Sequence, residues 1–321
     1  MYKEFLDLIR QFDCITIFRH ARPDGDAMFS AAAVYTFLKD NFKEKKVKVA
    51  GQDTYEKINK TDRISDKFIK QSLAIVVDTS TSNRVDDQRF EMAKKVVKID
   101  HHPIVENYGD LNIVDPKASA CCEVIARILF SKEFKNYNIS EKTCRYLYCG
   151  LITDTINFRT TNVTYKTLET AAKLAKKGNL KVSDLVEYLL DKDMDTFHKV
   201  SNIRSYLKVK EKFGYISLTQ RDLKKLEIGA LDAKNNIDEI GKISDLMIWA
   251  FAVEEEDGTY SVSVRSKRGY VINGICHRYG GGGHANASGV KGLTKKKLNS
   301  LFNELIELST IASENVKKGL K

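Results

Sequence analysis

The sequence predicts an α/β protein: an N-terminal domain built on a parallel sheet, followed by a second, smaller α/β domain. Three observations lead there. Short, β-branched and nearly continuous apolar runs recur through the first half, as in strands buried on both faces of a parallel sheet. Segments of helical periodicity separate them, and such alternation places helices on both sides of the sheet. After residue 206 the pattern changes to longer strand-like runs with a hairpin signal. A chain of 321 residues also exceeds the usual size of one domain and suits two.

In order, the first strand is Cys14–Arg19, followed by a helix over Ala27–Leu38 and a strand at Lys46–Ala50. Leu73–Asp78 and Lys94–Asp100 give the next two strands, with a helix predicted between them over Arg84–Ala93. Leu111–Asp115 closes the series. Helices follow at Ala120–Phe130, Thr143–Ile152 and Thr164–Lys177, the second of them opened by Ser140 and Glu141. Gly178-Asn179 is a break, and polar helix-like material after it predicts a linker over residues 181–205. That linker separates a domain of residues 1–180 from one of residues 206–321. The second domain opens with a strand at Phe213–Thr219, and Leu246–Ser266 reads as a hairpin turning at Asp257-Gly258, with Trp249 in its core. Ala312–Lys321 is expected to be a frayed basic end.

Composition narrows the function classes. Hydrophobic residues at 42% and charged residues at 30% supply a sizeable core and exclude disorder. Only 3 residues are proline, which excludes a Pro-rich linker or a collagen-like segment. No stretch approaches the roughly 18 apolar residues of a membrane span. Charges at Lys3, Glu4, Asp7 and Arg10 do not fit a signal peptide. The six cysteines show no C-x-x-C spacing, so reduced buried thiols in a cytoplasmic protein are expected in place of disulfides or structural zinc. The net charge of +10 reads as a lysine-rich surface that would help attract an anionic substrate.

Acidic and imidazole groups gather at the strand ends. The first strand runs into RHARPDGDA, with His20, Asp24 and Asp26 on one tight segment. The third ends at Asp78, the fourth runs into Asp100-His101-His102-Pro103, and a helix-period segment ends in GLITDT with Asp154. In a parallel α/β sheet, groups beyond the carboxyl ends of strands converge on one crevice. Asp24, Asp26, Asp78 and Asp154 together would repel one another unless cations balanced them, and two divalent ions supply the four charges required. Mixed Asp/His ligation suits Mn²⁺-type hydrolytic sites and lacks the thiolates of structural zinc. Any one of these residues alone reads as a turn or helix cap. Their joint pattern, H-x-x-P-D-x-D and D-H-H each after its own strand, does not.

Taken together, HARPDGDA, VVDTS, DHHP, GLITDT, VSVRS and GGGGHANASG resemble the DHH phosphoesterases, and within them the subfamily that adds a DHHA1 domain. The resemblance spans nearly the whole chain and is greatest to the bifunctional oligoribonuclease/pAp phosphatases, or nanoRNases. It implies that His20, Asp24 and Asp78 hold one Mn²⁺, and that Asp26, Asp78, His101 and Asp154 hold the other, with Asp78 shared. Mg²⁺ and Co²⁺ are alternatives. It further implies that His102 points at the scissile phosphate and that Asp100 orients an imidazole. The family commonly continues Thr-Gly-x-Phe after the last aspartate, whereas Asp154-Thr155 is followed here by Ile156-Asn157-Phe158.

The second domain supplies a phosphate grip in this reading. Gly280–Gly283 ahead of His284 presents backbone without side chains, so Gly281, Gly282 and Gly283 can bring N–H groups against an oxyanion. Glycine as a simple helix terminator accounts only for Gly280, after a helix expected over Tyr270–Tyr279. Arg265 can hold a phosphate bidentately, while Lys267 and Arg268 read as turn residues in solvent. The resulting expectation is two-metal hydrolysis of short single-stranded oligoribonucleotides or dinucleotides, and of pAp, held between the two domains. Cyclic di-AMP or linear pApA is the alternative substrate, and a catalytically silent nucleotide-binding module is the alternative class. No stripe of aromatics interleaved with basic residues suggests a long duplex or single-strand groove, no membrane partner is expected, and a homodimer is left open.

Overall fold

The computed structural model describes residues 1–52, 61–267 and 269–318, with side chains described up to residue 310. Two compact units emerge, Met1–Asp191 and Lys192–Lys321. Among the described residues, no helix is long and apolar enough to cross a membrane.

The first unit contains a five-stranded, wholly parallel sheet of β1 (Cys14–Phe18), β2 (Lys46–Val49), β3 (Leu73–Val77), β4 (Lys95–Asp100) and β5 (Leu111–Val114), in the order β2-β1-β3-β4-β5. Every residue of β1 and β3 is buried, which is why these strands read as continuous apolar runs. Alternate residues serve opposite faces. Ile15, Ile17, Ile75, Val77 and Ile99 pack into the main core beneath α1 (Tyr2–Gln11), α2 (Gly25–Asn41), α4 (Cys121–Leu129) and α5 (Glu141–Thr155). Phe18, Ala74, Val76 and Val96 form a smaller core on the other side, with Ile69 of α3 (Asp66–Lys70) and Phe90. Ser140 caps α5, its Oγ accepting from the Thr143 N–H at 3.3 Å. Helices α6 (Tyr165–Gly178) and α7 (Val182–Leu190) complete the unit, and Asn179 ends α6 in a left-handed conformation.

The α-helix expected over Arg84–Ala93 is absent. Two 3₁₀ turns stand there instead, Ser82–Arg84 and Gln88–Met92. Val85 is held extended by a bridge to His20, which interrupts any helix. Asp87 then takes both the Arg89 N–H, at 3.1 Å, and the Arg89 guanidinium, so side chains supply what helical carbonyls would have.

The second unit holds a six-stranded mixed sheet of β6 (Lys208–Lys210), β7 (Phe213–Leu218), β8 (Ile248–Glu254), β9 (Tyr260–Ser266), β10 (Gly282–His284) and β11 (Ala287–Leu293), in the order β10-β11-β9-β8-β7-β6. Only β7 and β8 pair in parallel, across α9 (Gln220–Leu226), α10 (Ala230–Lys234) and α11 (Ile237–Gly241). The hairpin β8–β9 turns through Gly258 at φ 78°. Trp249 is half-buried against Gly241 and not fully internal. One sheet face carries α12 (Asn273–Arg278) and α13 (Lys295–Lys318), the other α9 to α11. The segment expected as a linker is helical: α7 belongs to the first unit, and α8 (Met194–Arg204) to the second. The end expected to fray is helix up to Lys318, and residues 319–321 lie outside the described residues, as does Arg268.

Candidate active site

The strand order reverses about β1, with β2 on one side and β3 on the other. Crevices in open α/β sheets form at such points, beyond the strands' carboxyl ends. His20 follows β1 and Asp78 follows β3, so the topology alone brings them together.

Asp78 is the centre of the cluster. It is buried, its backbone stands at φ 52°, and its N–H donates to the Ile99 carbonyl at 2.9 Å. One carboxylate oxygen lies 3.6 Å from His20 Nε2, and the other lies 3.5 Å from His101 Nε2 and 3.6 Å from His102 Nδ1. That second oxygen, Oδ1, is buried and, among the described residues, accepts no hydrogen bond. Asp24 caps α2 through the Ala27 N–H at 3.0 Å and lies 3.9 Å from His20 Nε2. Asp154, near the end of α5, lies 3.7 Å from His101 Nε2. Asp26 is deeper. Its oxygens accept from the first amides of α4, Cys121 N–H at 2.5 Å and Cys122 N–H at 3.0 Å. Gly150 permits this closeness, since a Cβ there would strike Cys122 and stand 2.8 Å from Asp26 Oδ1.

Three groups of donor atoms are compact enough for a cation: His20, Asp24 and Asp78; Asp26, His101 and Asp154; and Asp78, His101 and His102. The sequence-derived candidates His20, Asp24, Asp26, Asp78, His101, Asp154 and His102 are thus brought together in one cluster. Asp100 lies behind it. Its Oδ1 accepts from the His101 N–H at 2.8 Å, the His102 N–H at 3.2 Å and His102 Nδ1 at 2.8 Å. A carboxylate on Nδ1 leaves Nε2 as the free nitrogen of His102.

The electrostatics show a site short of positive charge. Burial disfavours a charged imidazole, yet the Asp24 and Asp78 carboxylates outweigh it and lift His20 to about 10. His101 likewise rises against burial to about 10, through Asp78, Asp26 and Asp154. Burial pushes Asp154 up to about 6, opposed by His101 and aided by Asp78 and Asp24. Burial, with Asp78 and Asp154 nearby, also pushes Asp26 up. Asp78 resists burial because His101 and His20 hold it well below the usual carboxylate range. The residues fit divalent cations: a carboxylate oxygen lies buried without a donor, and four carboxylates need charge that only protons otherwise supply. Cys121 and Cys122 are no competitors, since burial beside these carboxylates keeps both as thiols.

The second unit's candidates share one end of its sheet. Arg265 on β9 pairs with Ala287 on β11, which pairs in turn with His284 on β10. Arg265 is half-buried and spends one N–H on the Val264 carbonyl at 3.0 Å, and His284 is exposed. The glycines divide by reason. A Cβ on Gly281 would strike the Gly289 carbonyl, and one on Gly283, at φ 138°, would stand 2.5 Å from the Ala287 carbonyl oxygen. Strand packing accounts for both. Gly282 meets nothing nearer than His277 at 3.6 Å, so its missing side chain has no packing reason. Lys267 donates to the Ile243 and Ser244 carbonyls and is structural.

Two residues escaped the sequence reading. Asn286 locks the turn after β10, with Nδ2 within 2.8–3.1 Å of Ser266 Oγ, Lys267 O and Tyr270 O. Lys98 is fully buried behind the aspartate-histidine turn. Its signal was present: a lysine set between Val97 and Ile99 in the interior of the strand.

Residues 14–151 match the DHH family, N-terminal domain, and residues 217–309 match the DHHA1 domain. The chain is 35% identical over 315 residues to the probable bifunctional oligoribonuclease and PAP phosphatase NrnA of Streptococcus mutans, covering 96% of this chain and 98% of that one. It belongs to the DHH family. The NrnA of Bacillus subtilis is 32% identical, with 90% of this chain and 92% of that one covered. An exopolyphosphatase-related protein of Bacteroides fragilis shares the fold, with a TM-score of 0.85 at 23% identity and 97% of each chain covered. The cyclic-di-AMP phosphodiesterase GdpP of Geobacillus thermodenitrificans is 26% identical, and only 44% of it is covered. At the position after Asp154-Thr155 where the resemblance implied a glycine, Ile156 adopts φ 49° and ψ 53°, a left-handed conformation that glycine takes without strain.

Proposed function

We propose that this DHH-family chain is a metal-dependent hydrolase. It cleaves short oligoribonucleotides to 5′-mononucleotides and removes the 3′-phosphate of pAp. The observation that carries the reading is the Asp78-centred cluster, with its buried and undonated carboxylate oxygen at the reversal point of the parallel sheet. The names of the relatives from Streptococcus mutans and Bacillus subtilis support the substrate class.

His20, Asp24 and Asp78 would hold one cation, and Asp26, Asp78, His101 and Asp154 the other. Mn²⁺ suits these hard oxygen and imidazole donors, with Mg²⁺ and Co²⁺ next. When bound, such cations neutralise the carboxylates, polarise a phosphoryl oxygen and make water acidic enough to serve as nucleophile near neutral pH. The chain's own groups do the rest. The α4 amides fix Asp26, and Asp78 stays ionised. Asp100 accepts from His102 Nδ1 and so turns Nε2 toward the substrate phosphate. On the second unit, Arg265, the open backbone at Gly282 and His284 are the groups suited to hold a nucleotide phosphate. Buried, unpaired cysteines fit the cytoplasm.

The test is turnover of di- to pentaribonucleotides, pAp, pApA and cyclic di-AMP, with and without chelator. Activity should vanish with chelator, return best with Mn²⁺, and favour the short linear RNAs and pAp. Full activity in metal-free protein would overturn the metal reading, and preference for cyclic di-AMP would overturn the substrate reading.

A further inference from the structure

Lys98 lies in the middle of β4, fully buried, two residues before Asp100. A lysine ammonium carries three N–H donors and tolerates burial only when they are satisfied. Here two of them meet carbonyl oxygens and the ammonium charge faces a carboxylate, each on a site-bearing element. The Ser80 carbonyl, at 2.8 Å, belongs to the loop that follows β3 and carries Asp78. The Glu106 carbonyl, at 2.9 Å, belongs to the loop that follows β4 and carries His101 and His102. Asp100 Oδ2 forms an ion pair at 3.4 Å. The two loops are stitched again around this point. Glu106 accepts from the Ser82 N–H and hydroxyl, both at 2.8 Å, and the Tyr108 hydroxyl donates to the Thr79 carbonyl at 2.8 Å. The Tyr108 ring closes over the ammonium, 4.9 Å from its centroid.

We propose that Lys98 is a positioning residue for His102, acting through Asp100. The ammonium anchors Oδ2, which turns Oδ1 toward the His101 and His102 amides and His102 Nδ1. Among the described residues no hydrogen bond reaches Asp100 Oδ2, so the His101 and His102 donors hold the carboxylate at Oδ1 and the Lys98 ammonium faces Oδ2 from behind. Without it the carboxylate can swing, and His102 loses its fixed tautomer and ring orientation. A lysine that merely filled the core would be replaceable by methionine, which has similar length and no charge. The contacts point elsewhere, because the hydrogen bonds and the ion pair end on the machinery. This inference rests on the phosphoesterase reading of the site.

The experiment compares Lys98→Met, Lys98→Arg, Asp100→Asn and the Lys98→Met/Asp100→Asn double variant in the full chain. On nucleotide and on bis-p-nitrophenyl phosphate alike, Lys98→Met should lower kcat about ten- to a hundredfold with little change in KM. Mn²⁺ stoichiometry should stay at the unaltered protein's value, Lys98→Arg should recover part of kcat, and the double variant should be no worse than Asp100→Asn. Nitrogen-15 spectra of the Mg²⁺-loaded protein give a readout free of turnover. His102 should change from a single Nδ1–H tautomer to a mixture in Lys98→Met. Should Lys98→Met fail to fold, Lys98→Gln, which drops the charge but keeps N–H donors, takes its place. Unchanged His102 resonances with normal kcat, or losses that simply add in the double variant, would overturn the proposal. Absence of turnover in the unaltered protein would count against the phosphoesterase reading instead, while the nitrogen spectra would still decide the role of Lys98.

Discussion

Ile156 occupies a backbone region that β-branched residues avoid, at φ 49°, and Asn157 and Phe158 follow it at 55° and 61°. The turn is held by the Asn157 N–H on the Ile152 carbonyl at 2.8 Å and the Phe158 N–H on Thr155 Oγ1 at 2.9 Å. A left-handed residue with a Cβ costs roughly 1–2 kcal/mol, and glycine there would return part of that as unfolded-chain entropy. Ile156→Gly should therefore stabilise the protein by about 0.5–1 kcal/mol, seen as a raised midpoint in thermal unfolding. A lowered midpoint would mean that the Ile156 side chain contributes packing that outweighs the strain. Asp78 shares the left-handed backbone, at φ 52°. Asn tolerates that region, so Asp78→Asn should fold normally, and on the proposed ligation it should lose tight binding at both cation positions by removing the charge they share. Mn²⁺ titration followed by electron paramagnetic resonance would count the bound ions, and two retained at native affinity would refute the sharing.

At the scale of elements, the glycine run and strand β9 separate packing from grip. Gly281 and Gly283 face the backbone of β11, so alanine at either should distort the β10–β11 hairpin and lower the unfolding midpoint. Gly282→Ala has room and should leave the midpoint unchanged, while raising KM for nucleotides if its backbone N–H meets a phosphate. Arg265→Ala should remove a charge-assisted contact of roughly 1.5–3 kcal/mol, about a ten- to hundredfold loss in kcat/KM on nucleotides. It should spare bis-p-nitrophenyl phosphate, which has no distal end to hold, and leave Mn²⁺ occupancy intact. Equal losses on both esters would assign Arg265 to the reacting centre. Sequence reading could rank the glycines only as a run, because it cannot show which of them a strand lies against.

For the molecule as a whole, charge balance in the cluster links metal loading to protons. His20 and His101 keep their protons up to about 10, against an ordinary value near 6.5. A cation needs neutral imidazoles, so at pH 7 its binding must expel those protons. Affinity should then rise steadily with pH between 6 and 9. Calorimetric titration with Mn²⁺ in buffers of different ionisation enthalpy should report net proton release on binding. An affinity independent of pH in that window would mean that the imidazoles are not displaced as donors.

The sequence by itself determined the parallel sheet of the first unit, because strands buried on both faces must be continuously apolar, and all five were legible within a residue or two. It also determined which acids and imidazoles stand at strand ends, since chemistry-bearing side chains interrupt those runs abruptly. Tertiary structure decided the rest. The bridge from Val85 to His20 overrode a helix-like pattern between β3 and β4, because a pairing partner outside the segment set its backbone. The environment of Lys98 depends on carbonyls of two separate loops, Ser80 and Glu106, which no local spacing could bring to one ammonium. The same holds for Asp26, whose charge is met by the first turn of a helix 95 positions away in the chain. Burial and hydrogen-bond partners are properties of the folded neighbourhood, so the chain names its candidate groups and the fold alone sets how each is held.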